Sequence, residues 1–222
     1  MWAERPGNSP LVRTVWSAEV EEPGSYPLVG SEYWGLSFIA RPDGTLVAEL
    51  DGPCLHARVV DGIAGERYWG VELGCHVFIP GVSKQAVLGQ TVRLPVVDGR
   101  VQLAGRQWPV PRPEEVEAWV LDLARHGGLV VDDEIYRALA GDRIGASDRT
   151  WQRRYRRTVG LTGRQVALVR RVEHAYVLLQ KGRPPAEAAA EAGFADQPHL
   201  TRSLRLVRGL TPAAIIARHQ AR

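Results

Sequence analysis

Two clusters in the last third of the chain have side chains suited to reading a charged, hydrogen-bonding polymer. The first is Arg149, Gln152, Arg153 and Arg156, within the run Ser147–Val159. Trp151 and Tyr155 lie four apart in that run, so on a helix they share one face and leave the arginine and glutamine side chains on a connected exposed arc. Guanidinium and carboxamide groups pair bidentately with guanine and adenine edges, and guanidinium also binds phosphate. Arg154 and Arg157 flank the arc and suit backbone phosphates. The second cluster is Gln197, His199, Thr201, Arg202 and Arg205. Leu200, Leu204 and Val207 recur among them at spacings of four and three, which turns the polar set outward or to the flanks.

Such helices need support of a definite kind: a short preceding helix, then a turn with a small residue. Ala186–Ala192 is a compact alanine-rich helix. Gly193 suits a positive-φ turn, Phe194 a core plug, and Asp196 an N-cap for the helix that follows. Pro198 falls in that helix's first turn, where amides are unpaired anyway. The first cluster has the same plan, with Asp132–Leu139 as the supporting helix and Ser147 as N-cap. Asp132-Asp133-Glu134 places favourable charge at a helix start. Gly160-Leu161-Thr162 and Gly209-Leu210-Thr211 end the two units alike. Between them Arg164–Gln180 predicts a helix of roughly 25 Å, long enough to hold two recognition helices near major-groove faces about 34 Å apart. A last turn or two is expected from Pro212 to His219.

The charge distribution agrees. A formal net charge of +3 divides into 12 Lys/Arg against 20 Asp/Glu in residues 1–142 and 16 against 5 in residues 143–222. A basic end on an acidic body is the electrostatic footprint of phosphate binding. No apolar run is long enough to span a membrane and the N-terminus lacks a signal-peptide pattern, so a cytoplasmic protein is expected. No nucleophile motif, phosphate loop or paired-carboxylate site occurs, which argues against an enzyme. Cys54, His56, Cys75 and His76 lack the spacing of a zinc site, so neither metal nor cofactor is expected.

The first half reads differently. It is rich in Gly and Pro, with alternating stretches that predict strands at Leu11–Val20, Tyr33–Ala40, Thr45–Leu50, Leu55–Val60, Arg67–Leu73 and His76–Ile79. Pro42-Asp43-Gly44 and Asp61-Gly62 read as turns, and Trp108–Pro113, with three prolines, as an extended linker. Pro113–His126 then predicts a helix with Val116, Trp119, Val120 and Leu123 on one face. The fold class expected is α+β: a β-rich barrel or sandwich domain over residues 1–108, a linker at 109–113, and an all-α domain with two helix-turn-helix units over 114–222. Trp16, Tyr33, Trp34, Tyr68, Trp69 and Phe78 are the rings that could line an apolar ligand pocket.

Over about its last 100 residues the chain resembles the AraC/XylS family of transcription regulators. The resemblance rests on Ser147-Asp-Arg-Thr-Trp-Gln-Arg-Arg-Tyr-Arg-Arg-Thr-Val-Gly160 and on Gly193-Phe-Ala-Asp-Gln-Pro-His-Leu-Thr-Arg-Ser-Leu-Arg-Leu-Val-Arg-Gly-Leu-Thr-Pro212. Ala-Asp-Gln-Pro-His-Leu-Thr-Arg is similar to actinobacterial members, although Leu200 and Leu204 stand where phenylalanines are usual. The resemblance implies double-stranded DNA as partner, contacted by Arg149, Gln152 and Arg153 in the first unit and by Gln197, Pro198, His199 and Arg202 in the second. It also implies an N-terminal domain that senses a small-molecule effector, forms a homodimer, or does both. Two other readings stand beside it: a constitutive, ligand-free DNA-binding protein, and a module whose basic helices bind an acidic protein.

Overall fold

The computed structural model describes residues 2–139 and 148–220. In chain order the strands are β1 (Trp2–Pro6), β2 (Val12–Glu19), β3 (Gly24–Leu28), β4 (Trp34–Ala40), β5 (Leu46–Asp51), β6 (Arg58–Gly62), β7 (Arg67–Leu73), β8 (Val77–Phe78), β9 (Thr91–Leu94), β10 (Val96–Val97), β11 (Arg100–Leu103) and β12 (Arg106–Pro109). A single 3₁₀ turn then leads into α1 (Val116–Arg125) and β13 (Val130–Val131). The remainder is α2 (Asp133–Leu139), α3 (Asp148–Val159), α4 (Gly163–Gln180), α5 (Pro185–Glu191), α6 (Gln197–Arg208) and α7 (Pro212–Gln220). The class is α+β, β-rich first and helical after.

Six antiparallel strands form the main sheet in the order β1-β2-β7-β4-β5-β9. Side chains alternate across it, so Trp34, Leu36 and Phe38 of β4 face the same side as their partners Leu73, Val71 and Trp69 of β7. That side is the core. Opposite it lie Val101, Leu103 and Trp108 from the sheet β10-β11-β12, together with Val116, Trp119, Val120 and Leu123 of α1. Phe38 stacks on Trp69 and meets Trp119 edge-on at 5.4 Å. Buried indole N–H groups find backbone partners: Trp34 Nε1 donates to Val77 O at 2.8 Å and Trp69 Nε1 to Pro111 O at 3.0 Å.

The structure departs from the sequence reading at several points in this half: β1, β3 and β9 to β11 were not expected, and β6 starts later than the strand expected from Leu55. Asp61-Gly62 is the end of β6, not a turn. Trp108 is not in a linker but in β12, where it is buried and donates Nε1 to Leu103 O. The cause is a pair of tight turns, Asp98-Gly99 and Ala104-Gly105, whose residues all take positive φ and fold residues 96–109 into two successive hairpins.

Compactness divides the chain into two interleaved units, 1–25 with 33–53 and 61–160, and 26–32 with 54–60 and 161–222. The first unit holds the main sheet, α1, α2 and α3. The second has its own core of Val169, Val172, Ala175 and Leu179 from α4, Ala188 and Ala189 from α5, Phe194, Leu200, Leu204 and Val207 from α6 and Ile215 from α7. Leu55 packs against that core.

Candidate nucleic-acid interface

On α3 the apolar side holds Trp151 and Val159 buried, and Tyr155 half-buried. Arg149, Gln152, Arg153, Arg156 and Arg157 are exposed. Ser147, expected to cap this helix, lies outside the described residues. Among the described residues, Arg149, Arg153, Arg156 and Arg157 form no ion pair. Arg154 behaves differently. Its Nη2 donates to Asp132 Oδ1 at 2.8 Å, its Nε reaches Asp132 Oδ2 at 3.3 Å, and its Nη1 pairs with Glu134. The guanidinium expected on the phosphate-facing flank is turned back onto the start of α2.

On α6 the packing follows the sequence reading closely. Asp196 has extended backbone and accepts from His199 N at 2.6 Å, closing the N-cap; Gly193 has φ 75° and Gly209, at the C-cap, φ 69°. Leu200, Leu204 and Val207 are buried. Gln197, Pro198, Arg202 and Arg205 are exposed, while Thr201 and His199 are half-buried. The His199 ring sits edge-on to Phe194 at 5.2 Å and Thr201 Oγ1 donates to Gln197 O, so both also serve the helix.

Sequence reasoning missed the residues that seat α6. Arg208 pairs with Glu173 of α4 at 2.5 Å and lies over the Tyr176 ring at 3.5 Å; Arg171 lies over Phe194 and donates to Gly193 O. These arginines look like surface charge in the sequence, and for Arg208 the available signal was the pair Glu173 and Tyr176, three apart on one face of α4. The C-terminal carbonyls of α6 are also used. Gly30 N donates to Val207 O at 2.6 Å and Ala57 N to Leu206 O at 2.8 Å.

Residues 141–218 match the model of a family described as a helix-turn-helix domain. That match covers about a third of the chain. No curated protein matches the chain. Among solved structures, ToxT from Vibrio cholerae is similar at 6% identity, covering 97% of this chain and 98% of that one with a TM-score of 0.46. ToxT bound to an unsaturated fatty acid is similar at 8% identity, covering 97% and 94% with a TM-score of 0.41. Both scores lie under 0.5, so the likeness establishes no common function.

The six rings read as a ligand pocket are divided by strand alternation. Trp34 and Trp69 are core residues, whereas Tyr68 and Trp16 point to the other face of the sheet, with Trp16 stacked on Trp2 at 5.2 Å. Burial and a hydrogen bond to Glu66 push the Tyr68 phenol well above its ordinary value, so it is a neutral donor. Tyr33 lies under the Arg13 guanidinium. Phe78 borders an open depression of about 460 Å³ with Val131, Asp132, Asp133, Glu134, Arg137 and Arg154. That lining is charged, unlike an apolar effector site.

Cys54 and Cys75 are not disulfide-bonded. Among the described residues no cluster of three or more His, Cys, Asp or Glu could hold a metal, and no helix is long and apolar enough to cross a membrane. Lys84, which sequence reasoning passed over, is buried. Its Nζ donates to Cys75 O at 2.7 Å beneath the Trp34 ring, and burial pushes its pKa down to about 7.

Proposed function

We propose that the chain is a transcription regulator that reads double-stranded DNA with α3 and α6 as recognition helices. The observation that carries this is the split among its arginines. Arg149, Arg153, Arg156 and Arg157 on α3 and Arg202 and Arg205 on α6 are exposed and, among the described residues, have no carboxylate partner, whereas Arg154, Arg171 and Arg208 are tied internally. Unpaired guanidinium groups on the second helix of each unit are what phosphate and base-edge contacts require. In this reading Gln152 and Gln197 serve adenine edges, Arg153 and Arg202 guanine edges, and the remaining arginines phosphates. His199, Thr201 and Pro198 shape the start of the second reading surface.

The β-rich half, residues 1–108, would then set how well the helical segment 114–222 engages its site, through a small-molecule effector or self-association. The test is selection of bound fragments from genomic DNA by the purified chain, followed by anisotropy titration on the enriched duplex at several salt concentrations. The expected result is a site bound at least a thousandfold more tightly than scrambled duplex, with steep salt dependence. Equal affinity for both duplexes would defeat specific readout, and a basic surface serving an acidic protein would then be the reading to pursue.

A further inference from the structure

We propose that Asp132 is a positioning residue for α3, and that Arg154 acts as an internal tie rather than a phosphate contact. The proposal rests on the DNA-binding reading above for its consequence, but on local geometry for its content. The side chain of Asp132 is only 11% exposed and all of its acceptor capacity is in use. Oδ1 accepts from Arg154 Nη2 at 2.8 Å and from Ile135 N at 3.2 Å, which also caps α2. Oδ2 accepts from Arg154 Nε at 3.3 Å and from Thr158 Oγ1 at 3.0 Å. Glu134 takes the remaining face of the guanidinium.

Arg154 and Thr158 are one helical turn apart, so one carboxylate grips α3 at two successive turns. A single contact would leave the helix free to pivot. Two fix both its rotation and its advance along its axis, and rotation by one residue would swing the exposed arc through about 100°. The carboxylate is itself anchored. Asp132 N donates to His76 O at 3.0 Å, and Val130 and Val131 pair with Phe78 and Val77 in the ribbon formed by β8 and β13. Val77 O in turn holds the buried Trp34 indole. The orientation of Arg149, Gln152, Arg153 and Arg156 is thereby referred to the β core through a continuous chain of hydrogen bonds. The network also keeps Asp132 ionised: burial raises its pKa, but donation from Arg154, Ile135 N and Thr158 outweighs this and holds the group below its ordinary value.

The two roles for Arg154 separate cleanly. A phosphate contact needs only positive charge; the tie needs the planar fork of arginine against both carboxylate oxygens. The experiment compares full-length wild type, R154A, R154K, D132N and the D132N/R154A double variant for affinity to the selected duplex and to scrambled duplex across salt. Hydrogen exchange of the α3 amides is followed in the free proteins. The expected result is that R154A, R154K and D132N each lower the ratio of specific to scrambled affinity about tenfold, the scale of one base contact. The double variant should be no worse than the poorer single, and the salt slope should not change. All four should exchange faster in α3. A slope reduced by about 0.9 in R154A and retained in R154K, with D132N like wild type, overturns the proposal. So does unchanged α3 exchange in D132N, a result read without DNA. Failure of the wild type to prefer any duplex would instead defeat the DNA-binding reading, leaving the exchange arm to decide on the tie.

Discussion

Gly30 donates its backbone N–H to the carbonyl of Val207 at 2.6 Å, so the C-terminal end of α6 is closed by a residue nearly 180 positions earlier in the chain. An ideal Cβ on Gly30 would come within 2.5 Å of the Leu55 carbonyl oxygen, a backbone atom that cannot rotate aside. Gly30→Ala should therefore destabilise the protein by about 1–3 kcal/mol and loosen the end of α6. Gly163→Ala is the matched control, because its Cβ meets nothing within 4 Å and alanine favours the first turn of α4. Urea unfolding of the two variants should move in opposite directions, and a Gly30→Ala midpoint equal to wild type would count against the tie.

The two recognition helices differ in charge. With Arg149, Arg153, Arg156 and Arg157 all exposed on α3, against Arg202 and Arg205 on α6, Arg153→Ala should lower affinity for the selected duplex more than Arg202→Ala. Each should cost about 1–3 kcal/mol and relax discrimination at its own base position. Anisotropy titrations at one salt concentration check the order, and equal losses would refute it.

Asp196 closes the N-terminus of α6 through His199 N. Asp196→Ala should cost about 1 kcal/mol of stability, while Asp196→Asn, which keeps an acceptor, should cost much less. If the cap also sets the start of the reading surface, Asp196→Ala will weaken specific binding more than scrambled binding. Thermal denaturation and paired DNA titrations measure the two effects separately.

Lys84 gives a pH dependence whose sign is fixed by its burial. Its folded-state pKa of about 7 lies below the ordinary 10.5, so between those values the unfolded chain binds more protons than the folded one and stability from this group rises with pH. Below pH 7 the full penalty of a buried ammonium is present. Lys84→Met removes the titration. Relative to wild type the variant should be most favoured at pH 6 and lose that advantage towards pH 10, by at most about 1.4 kcal/mol per pH unit. Urea unfolding at four pH values reads the difference; parallel curves would show that the ammonium keeps its ordinary pKa.

Local pattern made much of this protein legible. The helices from α1 to α7 stand close to their expected positions because apolar spacing, prolines at helix starts and glycines at helix ends are all short-range signals, and the Gly193 turn and Asp196 cap follow from residue type alone. β2, β4, β5 and β7 were likewise visible as alternating runs. The strands that escaped notice are exposed, short or turn-dependent. β1 has no buried residue, and β10 to β12 depend on Asp98-Gly99 and Ala104-Gly105, a hairpin signal available in the sequence at its first turn.

The sequence by itself determined that two basic helices follow two short supporting ones, and which of their faces is apolar, because a 3.6-residue period depends on nothing outside the helix. Only the tertiary structure decided what each arginine is for. Arg153 and Arg154 are adjacent and chemically identical, yet one faces solvent and the other is bound by Asp132 and Glu134, 22 and 20 residues earlier respectively. The same holds for Lys84 under Trp34 and for the seating of α6 by Gly30, Ala57 and Arg208. Such pairings are made by chain segments that meet only on folding, and a long flexible cation takes whichever carboxylate, ring or carbonyl the fold brings within reach.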